Sequence, residues 1–291
     1  MKSVNRQPRV FIRRRNHNIG ELKALLAVVT AGALVTGCAA TAAEPATASA
    51  SVSSASKSST KLPFPSTYKA YPSDNTVITG VTIFDGEGQQ IDNGMIFMSA
   101  GKVVSVGGSD TEIPTDSIVI DGTGKYVTPG IIDVHSHLGD YPTPSVSAHS
   151  DGNEATSPVT PEVWAEHSVW PQDPGFSRAL VNGGITSLQI LPGSANLFGG
   201  RSVTLKNVQA RTVQAMKFPG APYGMKMACG ENPKRVYGGR NRMPSTRMGS
   251  LALNRQTWIN AQDYQKKMKA AKPPKRNLAM ETLVGVLEGD I

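Results

Sequence analysis

Two histidines separated by a single residue follow an apolar segment of the sequence. His135 and His137 flank Ser136 at the end of a run that begins at Tyr126. The apolar run predicts a strand buried on both faces. Side chains two positions apart in a strand point to the same face, so both imidazoles are expected to converge on one point. Neutral imidazole binds zinc and related metals, and the pair therefore predicts two ligands of a metal site.

The segments that follow the histidine pair alternate between strand and helix patterns. Strands are predicted at Gly184–Leu191, Ser202–Lys206 and Tyr223–Ala228. A helix capped by Thr160 and broken at Pro171 and Pro174 is predicted over Pro161–Asn182, with others over Thr257–Lys269 and Asn277–Leu287. Strands alternating with helices or long connections predict a parallel α/β architecture.

Residues 74–125, upstream of the pair, contain short β-rich segments separated by turn signals. Asp85-Gly86 and Asp121-Gly122 are such signals, and Ala100-Gly101 is expected to join the two strands of a hairpin. The predicted strands are Thr76–Thr79, Val81–Phe84, Ile96–Met98, Val103–Val106 and Ser117–Ile120. Short strands with turns this close together predict a small β-sandwich domain.

The segment Thr128–His137, with Pro129-Gly130 near its start, resembles the signature of the amidohydrolase superfamily. Gly183–Ser187 resembles that family's second strand, and the chain from there looks like the imidazolonepropionase-like branch. The resemblance implies a small β-sandwich at 74–125, followed at 126–291 by the N-terminal half of a metal-dependent hydrolase (β/α)8 TIM barrel. It also implies hydrolysis of C–N bonds in non-peptide amides, cyclic amides or dipeptides, with a small molecule or dipeptide as substrate.

The resemblance also implies one or two divalent metal ions, with zinc expected, and a carboxylate ligand at the end of strand 4. Two residues match that position, Lys226 as a CO₂-carboxylated lysine and Glu231 as an unmodified carboxylate. Carboxylation and metal binding would remove the cost of burying the Lys226 ammonium. Asp133 is expected either to hydrogen-bond near the site or to be a structural strand residue.

A glycine-rich turn over residues 193–202 offers candidate substrate contacts. Its spacing differs from that of a phosphate-binding loop and Arg201 replaces the lysine, which argues against nucleotide binding. Arg201 and Asn196 are candidate substrate-binding residues, with Arg201 as a bidentate partner of a carboxylate. The alternative is a structural turn with a solvated arginine. His149 and His167 are expected at the surface or at the mouth of the site.

The family resemblance implies further ligands that this sequence does not contain. Two more histidines are expected from strands 5 and 6, and an aspartate from strand 8 is expected as general base, yet no histidine follows His167. We therefore expect a fragment truncated near strand 5, with the general-base aspartate beyond residue 291. Such a half-barrel is expected to be inactive by itself and poorly stable.

The N-terminus has the form of a bacterial lipoprotein leader. A basic segment precedes the apolar run Ala24–Thr36, which is about 20 Å long as a helix and too short for a bilayer core of roughly 30 Å. Val35–Cys38 resembles a lipobox, which predicts a signal peptide at 1–37 and lipidation of Cys38. Residues 38–62, rich in Ala, Ser and Thr, predict a flexible tether to the periplasmic face of a membrane in the cell envelope. An ordinary signal peptide with an incidental cysteine is the alternative.

The formal charge of +8 belongs largely to that leader. Residues 1–37 hold seven of the 30 basic residues and one of the 22 acidic residues, which leaves +2 for the remainder. No nucleic-acid partner is therefore predicted. Because Cys38 is assigned to the lipid, Cys229 has no partner for a disulfide and is expected to be a small buried residue. A non-catalytic lipoprotein, or a decayed remnant that binds metal or ligand without turnover, is the alternative to an enzyme.

Overall fold

The computed structural model describes residues 63–291, which fold as two β-sheets with helices packed on the second. The predicted signal peptide at 1–37, the lipidated Cys38 and the tether at 38–62 lie outside the described residues. Within residues 63–291, no helix combines the length and the apolar character that crossing a membrane requires.

The first sheet has five strands and occupies the region predicted as a β-sandwich. Strand order is β3-β2-β1-β4, with β5 beside the other half of β1; β1 is antiparallel to β2 and parallel to β4 and β5. Ala100 and Gly101 both have positive φ, as a two-residue hairpin turn requires, which confirms the predicted hairpin. The strands are β1 Thr76–Phe84, β2 Gln90–Ser99, β3 Lys102–Gly107, β4 Ile118–Asp121 and β5 Tyr126–Val127. The residues described here form one sheet, and a second layer facing it stays a prediction.

The second sheet has the order β6-β7-β8-β9, with β6 Ile131–Ser136, β7 Ile185–Ile190, β8 Phe198–Lys206 and β9 Gly224–Met227. The pair β6 and β7 is parallel, but β8 is antiparallel to both of its neighbours. The prediction of a parallel arrangement is therefore wrong for β8. The cause is the short connection at residues 191–197, because a parallel crossover needs about a dozen residues or more.

The apolar run from Tyr126 to His137 is not one strand buried on both faces, as the sequence predicted. It divides at Pro129-Gly130 into β5 of the first sheet and β6 of the second. A side chain at Gly130 would collide with Thr186 of β7, so the chain passes there only as glycine. In the described part of the protein β6 has a neighbour on one side only, which leaves Ile132 and Val134 65% and 67% exposed.

The observed helices match the helices predicted from the sequence in the C-terminal part of the chain, but they differ from the prediction in the middle. The helix predicted over Pro161–Asn182 is confirmed only from Pro174 onward, as α1 (Pro174–Gly183), which is capped by Asp173 and not by Thr160. Before Pro174 the segment forms only the short 3-10 helix η2 (Ala165–His167), so the prediction is wrong there. The final helix is confirmed, with Asn277 as its cap, and α4 begins well before the predicted Thr257. The bounds are η1 Ser147–His149, η2 Ala165–His167, α1 Pro174–Gly183, α2 Val213–Met216, α3 Glu231–Gly238, α4 Arg247–Met268 and α5 Leu278–Glu288.

One face of the second sheet forms the main apolar core. Leu188 and Ile190 of β7 and Leu205 of β8 are fully buried and cluster with Phe176 of α1 and Met216 of α2. A second cluster joins the start of β8 to α4 and α5 through Leu197, Phe198, Ala261 and Leu283. Cys229 lies outside these clusters and is exposed, which corrects the expectation that it is buried.

Asn196 is the centre of a buried polar network that holds the loop before η2 against the start of β8. Its Nδ2 donates to the carbonyls of Glu154 (2.6 Å) and Ser157 (3.1 Å) and to Oγ1 of Thr160 (2.7 Å). Its Oδ1 accepts from the Tyr237 hydroxyl at 3.0 Å. Asn196 is 1% exposed with both polar atoms engaged within the protein, which gives it a structural role, and its predicted contact with substrate stays a prediction.

A buried ion pair joins η2 to the end of α2. Lys217 Nζ lies 2.6 Å from Glu166 Oε2, and the Tyr223 hydroxyl donates to the same oxygen at 2.9 Å. Lys217 and Glu166 are 5% and 3% exposed. Each charge therefore depends on the other for compensation, because an unpaired ion in this environment is costly.

We predict that Asn196→Asp destabilises the protein severely. A carboxylate at this site faces two carbonyl oxygens that accept hydrogen bonds from the native amide, and the expected loss in the free energy of unfolding is about 3 kcal/mol or more. Urea unfolding monitored by circular dichroism measures the loss. The matched control is Asn260→Asp on the exposed side of α4, with an expected change within about 0.5 kcal/mol. Equal stability of the two variants would contradict the role given to Asn196.

For the buried ion pair, we predict that Lys217→Met lowers the free energy of unfolding by about 3 to 5 kcal/mol, because Glu166 is left charged and uncompensated. The double variant Glu166→Gln/Lys217→Met is expected to lose less than the two single variants together. Lys272→Met, at an exposed position, serves as the control. Additive losses in the double-mutant cycle would show that the two groups do not compensate each other.

Candidate functional site

The histidine pair lies at the carboxyl end of β6. His135 belongs to the strand, Ser136 ends it, and His137 follows directly. The two imidazole rings have centroids 5.5 Å apart and stand perpendicular to each other. The structure therefore brings both rings to one place, as the spacing in the strand predicted.

His137 is fixed by a backbone carbonyl at the end of the neighbouring strand. Its Nδ1 lies 2.7 Å from the carbonyl oxygen of Leu191, directly after β7. A carbonyl oxygen can only accept, so Nδ1 donates in this contact, and in the neutral tautomer that this contact selects the lone pair is on Nε2. A histidine held in this way is oriented for metal binding through Nε2.

Lys226 of β9 reaches His135 from across the sheet. Because β8 runs backward, β9 runs in the direction of β6 and β7, so the carboxyl ends of these three strands lie at one edge. Lys226 Nζ lies 3.2 Å from His135 Nε2. The missing side chain of Gly199 leaves room for the lysine stem, since a Cβ there would lie 3.2 Å from Lys226 Cγ.

The charge on Lys226 has no carboxylate partner within the described part of the chain. Lys226 is 6% exposed, and burial lowers the pKa of its ammonium. The positive charge of Lys226 is the largest cause of the lowered pKa of His135, followed by burial. A buried ammonium beside an imidazole nitrogen is unfavourable, so the contact favours the neutral form of both groups.

Asp133 and Glu231 differ in their contacts with the histidine pair. Asp133 Oδ1 accepts a hydrogen bond from the backbone N–H of His135 at 3.0 Å, which is a local strand contact. Glu231 is the first residue of α3 and is exposed, and among the described residues it forms no hydrogen bond or ion pair with either histidine. Of the two candidates for the strand-4 ligand, the structure brings Lys226 to the histidines and leaves Glu231 apart.

The donor set fits part of a transition-metal site. Across residues 63–291, no group of three or more His, Cys, Asp or Glu side chains is arranged to hold a metal ion. What is present is a pair of imidazoles beside a buried lysine that lacks an acidic partner among the described residues. Imidazole nitrogen and a deprotonated or carboxylated lysine are ligands for zinc-like cations, and further ligands are needed to complete four-coordination.

The sequence alone did not indicate a role for Asp140 and Tyr141, which follow the histidine pair. Asp140 is fully buried, and burial raises the pKa of its carboxyl to about 7 although Ser168 donates to Oδ1 at 2.8 Å. The Tyr141 ring stands edge-on to His137 with centroids 6.1 Å apart, and its hydroxyl accepts from Asn153. The contacts of Asp140 with Ser168 and of Tyr141 with Asn153 join residues 28 and 12 positions apart, and no spacing rule reveals them.

Arg201 does not join the histidine pair. In the register of β8 with β9, Gly200 faces Lys226 and Arg201 faces Met225, so Arg201 and Lys226 project to opposite faces of the sheet. The Arg201 guanidinium lies 4.2 Å from the centre of the Trp164 ring, and its Nε and Nη2 donate to Thr282 Oγ1 at 3.0 and 2.8 Å. Strand alternation therefore separates Arg201 from the histidines, and its predicted role in binding a substrate carboxylate stays a prediction.

The two remaining histidines described here are also apart from the pair. His149 stacks on Trp170 with centroids 4.9 Å apart, and His167 stacks on Trp164 at 5.8 Å. Both contacts are with aromatic rings on the loop that follows β6. Neither histidine is placed beside His135.

Comparison with known proteins shows partial likenesses to amidohydrolases. No family model matches the chain. The amidohydrolase tasK of Hapsidospora irregularis is 40% identical over 148 residues, which are 48% of this chain and 15% of that protein. A 5-methylthioadenosine/S-adenosylhomocysteine deaminase of Halalkalibacterium halodurans is 34% identical over 111 residues, which are 37% of this chain and 23% of the deaminase.

A solved structure agrees with these curated relatives. The crystal structure of an amidohydrolase from Thermotoga maritima MSB8 matches with a TM-score of 0.66 and 38% identity. The match covers 73% of this chain and 55% of the Thermotoga chain, so this chain spans little more than half of that protein and less of the curated relatives. The curated relatives and the solved structure together support placing this chain in the amidohydrolase superfamily.

Proposed function

We propose that the chain belongs to a metal-dependent amidohydrolase that hydrolyses C–N bonds in non-peptide amides, cyclic amides or dipeptides. The observation that carries the proposal is the meeting of His135, His137 and Lys226 at the carboxyl edge of the second sheet. In barrel enzymes that edge is where catalytic groups gather. The names of the relatives, an amidohydrolase and a deaminase, support chemistry at C–N bonds.

In this proposal His135 and His137 hold a divalent cation, with zinc as the expected ion and one or two ions bound. Lys226, carboxylated by CO₂, is the proposed third ligand, and Glu231 is the alternative. When bound, the cation supplies Lewis acidity toward a carbonyl oxygen and acidifies water. The Leu191 carbonyl holds His137 in the tautomer that leaves Nε2 available. Carboxylation converts the buried, unpaired Lys226 ammonium into an anion suited to a cationic site.

The proposal extends to the intact protein. β6 and β7 are proposed as the first two strands of a (β/α)8 barrel in the imidazolonepropionase-like branch, and the first sheet as part of a small β-sandwich. The proton acceptor is an aspartate supplied by a longer form of the protein. We also propose that lipidated Cys38 tethers the protein to the cell envelope, where a peptide-like substrate is favoured.

We predict that the full chain binds zinc through the histidine pair. His135→Ala or His137→Ala is expected to weaken zinc affinity at least about ten-fold, because each removes one of few ligands. Isothermal titration with zinc chloride and elemental analysis of dialysed protein measure the loss. His149→Ala, whose ring stacks on Trp170, is the matched control and is expected to bind zinc as the unmodified chain does. Unchanged zinc affinity in both site variants would refute the metal site.

A second prediction separates Lys226 from Glu231. With ¹³C-labelled bicarbonate, the unmodified chain in the presence of zinc is expected to show a carbamate carbon signal by NMR. Lys226→Met should lose that signal and bind zinc more weakly, whereas Glu231→Gln should retain both properties. The reverse pattern would assign the ligand to Glu231 instead.

Turnover distinguishes the enzyme from a lipoprotein that binds metal without catalysis. The DNA should be read past codon 291, and the protein encoded by the continued frame should be assayed for amine release from dipeptides and cyclic amides. Metal-dependent release that His135→Ala abolishes is the expected result. A genuine stop codon at that point, with zinc binding but no hydrolysis, would favour the non-catalytic alternative.

A further inference from the structure

A large cleft lies on the face of the second sheet that points away from the histidine pair. Its volume is about 1520 Å³, and Phe64, Trp164, Arg201, Tyr223, Tyr264 and Thr282 are among its lining residues. His135, His137 and Lys226 do not line it. Because Arg201 and Lys226 project from opposite faces of neighbouring strands, the Arg201 end of the cleft is separate from the proposed metal site. The far end of the cleft includes Asn153, which donates to Tyr141 beside His137.

Arg201 is a half-buried cation without a carboxylate partner among residues 63–291. Its hydrogen bonds within that range go to the Thr282 hydroxyl alone, from Nε and Nη2. Its Nη1 has no acceptor there. Burial lowers the pKa of the guanidinium, which shows that the surroundings do not compensate the charge in full.

The two acids whose charges bear on Arg201 are both engaged elsewhere. Glu166 pairs with Lys217 at 2.6 Å, and Glu281 accepts two hydrogen bonds at 2.7 Å from Arg276. Each therefore already has a cation of its own. Arg201 is therefore a half-buried cation of the cleft wall whose charge is available to a ligand; the exposed Lys269 also lines the cleft.

The guanidinium is also held in one orientation before any ligand arrives. Trp164 supports its face at 4.2 Å, and the Thr282 hydroxyl holds two of its nitrogens on one edge. Arginine has five N–H donors in a planar fork, so donors remain for an anion in the plane of the group. Such preorganisation lowers the entropy cost of binding.

The rest of the lining restricts the class of anion. Phe64 packs edge-on against Trp164 with centroids 5.5 Å apart, and Tyr223 adds a second aromatic ring near the guanidinium. These surfaces suit a planar apolar body. The exposed acids Glu162, Glu288 and Asp290 also line the cleft and disfavour a multiply charged anion such as phosphate.

We propose that this cleft is a second binding site, for an organic monocarboxylate with a planar apolar body, whose carboxylate pairs with Arg201. The site is independent of the proposed hydrolysis, because it shares no residue with the histidine group.

The test uses the full chain with benzoate as the probe and benzamide as its neutral isostere. Ligand-observed NMR titration is expected to show benzoate binding at least about ten-fold tighter than benzamide, because the charged hydrogen bond to Arg201 is lost with the amide. This comparison needs no variant. Equal affinities for the two probes, no binding of benzoate, or displacement of benzoate by equimolar inorganic phosphate would each overturn the proposal.

Variants then locate the site. Arg201→Met is expected to weaken benzoate binding at least about ten-fold and to leave benzamide binding unchanged. Arg178→Met, at an exposed position on α1, is the matched control and should bind benzoate normally. His135→Ala should also bind benzoate normally, which separates this site from a carboxylate bound at the proposed metal. Loss of benzoate binding in His135→Ala, or its retention in Arg201→Met with native circular dichroism, would overturn the assignment.

Discussion

The reversal of β8 is the constraint on which the rest of the second sheet depends. The chain has only residues 191–197 in which to leave β7 and begin β8, and that is too short for a crossover to a parallel neighbour. β8 therefore runs back beside β7, and β9 runs forward again. This sequence of directions places the carboxyl end of β9 at the same edge as that of β6, and Lys226 meets His135 there.

The two faces of strands β8 and β9 place two cationic side chains in different surroundings. Lys226 pairs with Gly200 across the two strands and projects toward the imidazoles. Arg201 is the residue after Gly200, so it projects to the other face, toward Trp164 and Thr282. A period of two residues is sufficient to place cations that are neighbours in the sheet in unrelated environments. The Arg201 cleft lies on the face that packs against the helices.

The two buried lysines differ in their hydrogen-bond and ion-pair partners, and this difference separates a structural role from a functional one. Lys217 is paired with Glu166 and hydrogen-bonded to Tyr223, so its charge is compensated and its role is structural. Lys226 is nearly as buried but contacts an imidazole and lacks an acid within the described residues. A buried charge without compensation is unfavourable for folding alone, and such groups are concentrated at functional sites.

The sequence by itself determined the local features: the convergence of His135 and His137, the hairpin at Ala100-Gly101 and the helix that begins after Asn277. Each depends on a period or a turn within a few residues. It did not determine the direction of β8, the exposure of β6, the structural role of Asn196 or the separation of Arg201 from the histidines. Those depend on which strands become neighbours and on contacts such as Asn196 with Tyr237 and Arg201 with Thr282, between residues far apart in the chain. Local propensity carries no information about such pairings, so only the tertiary structure decided them.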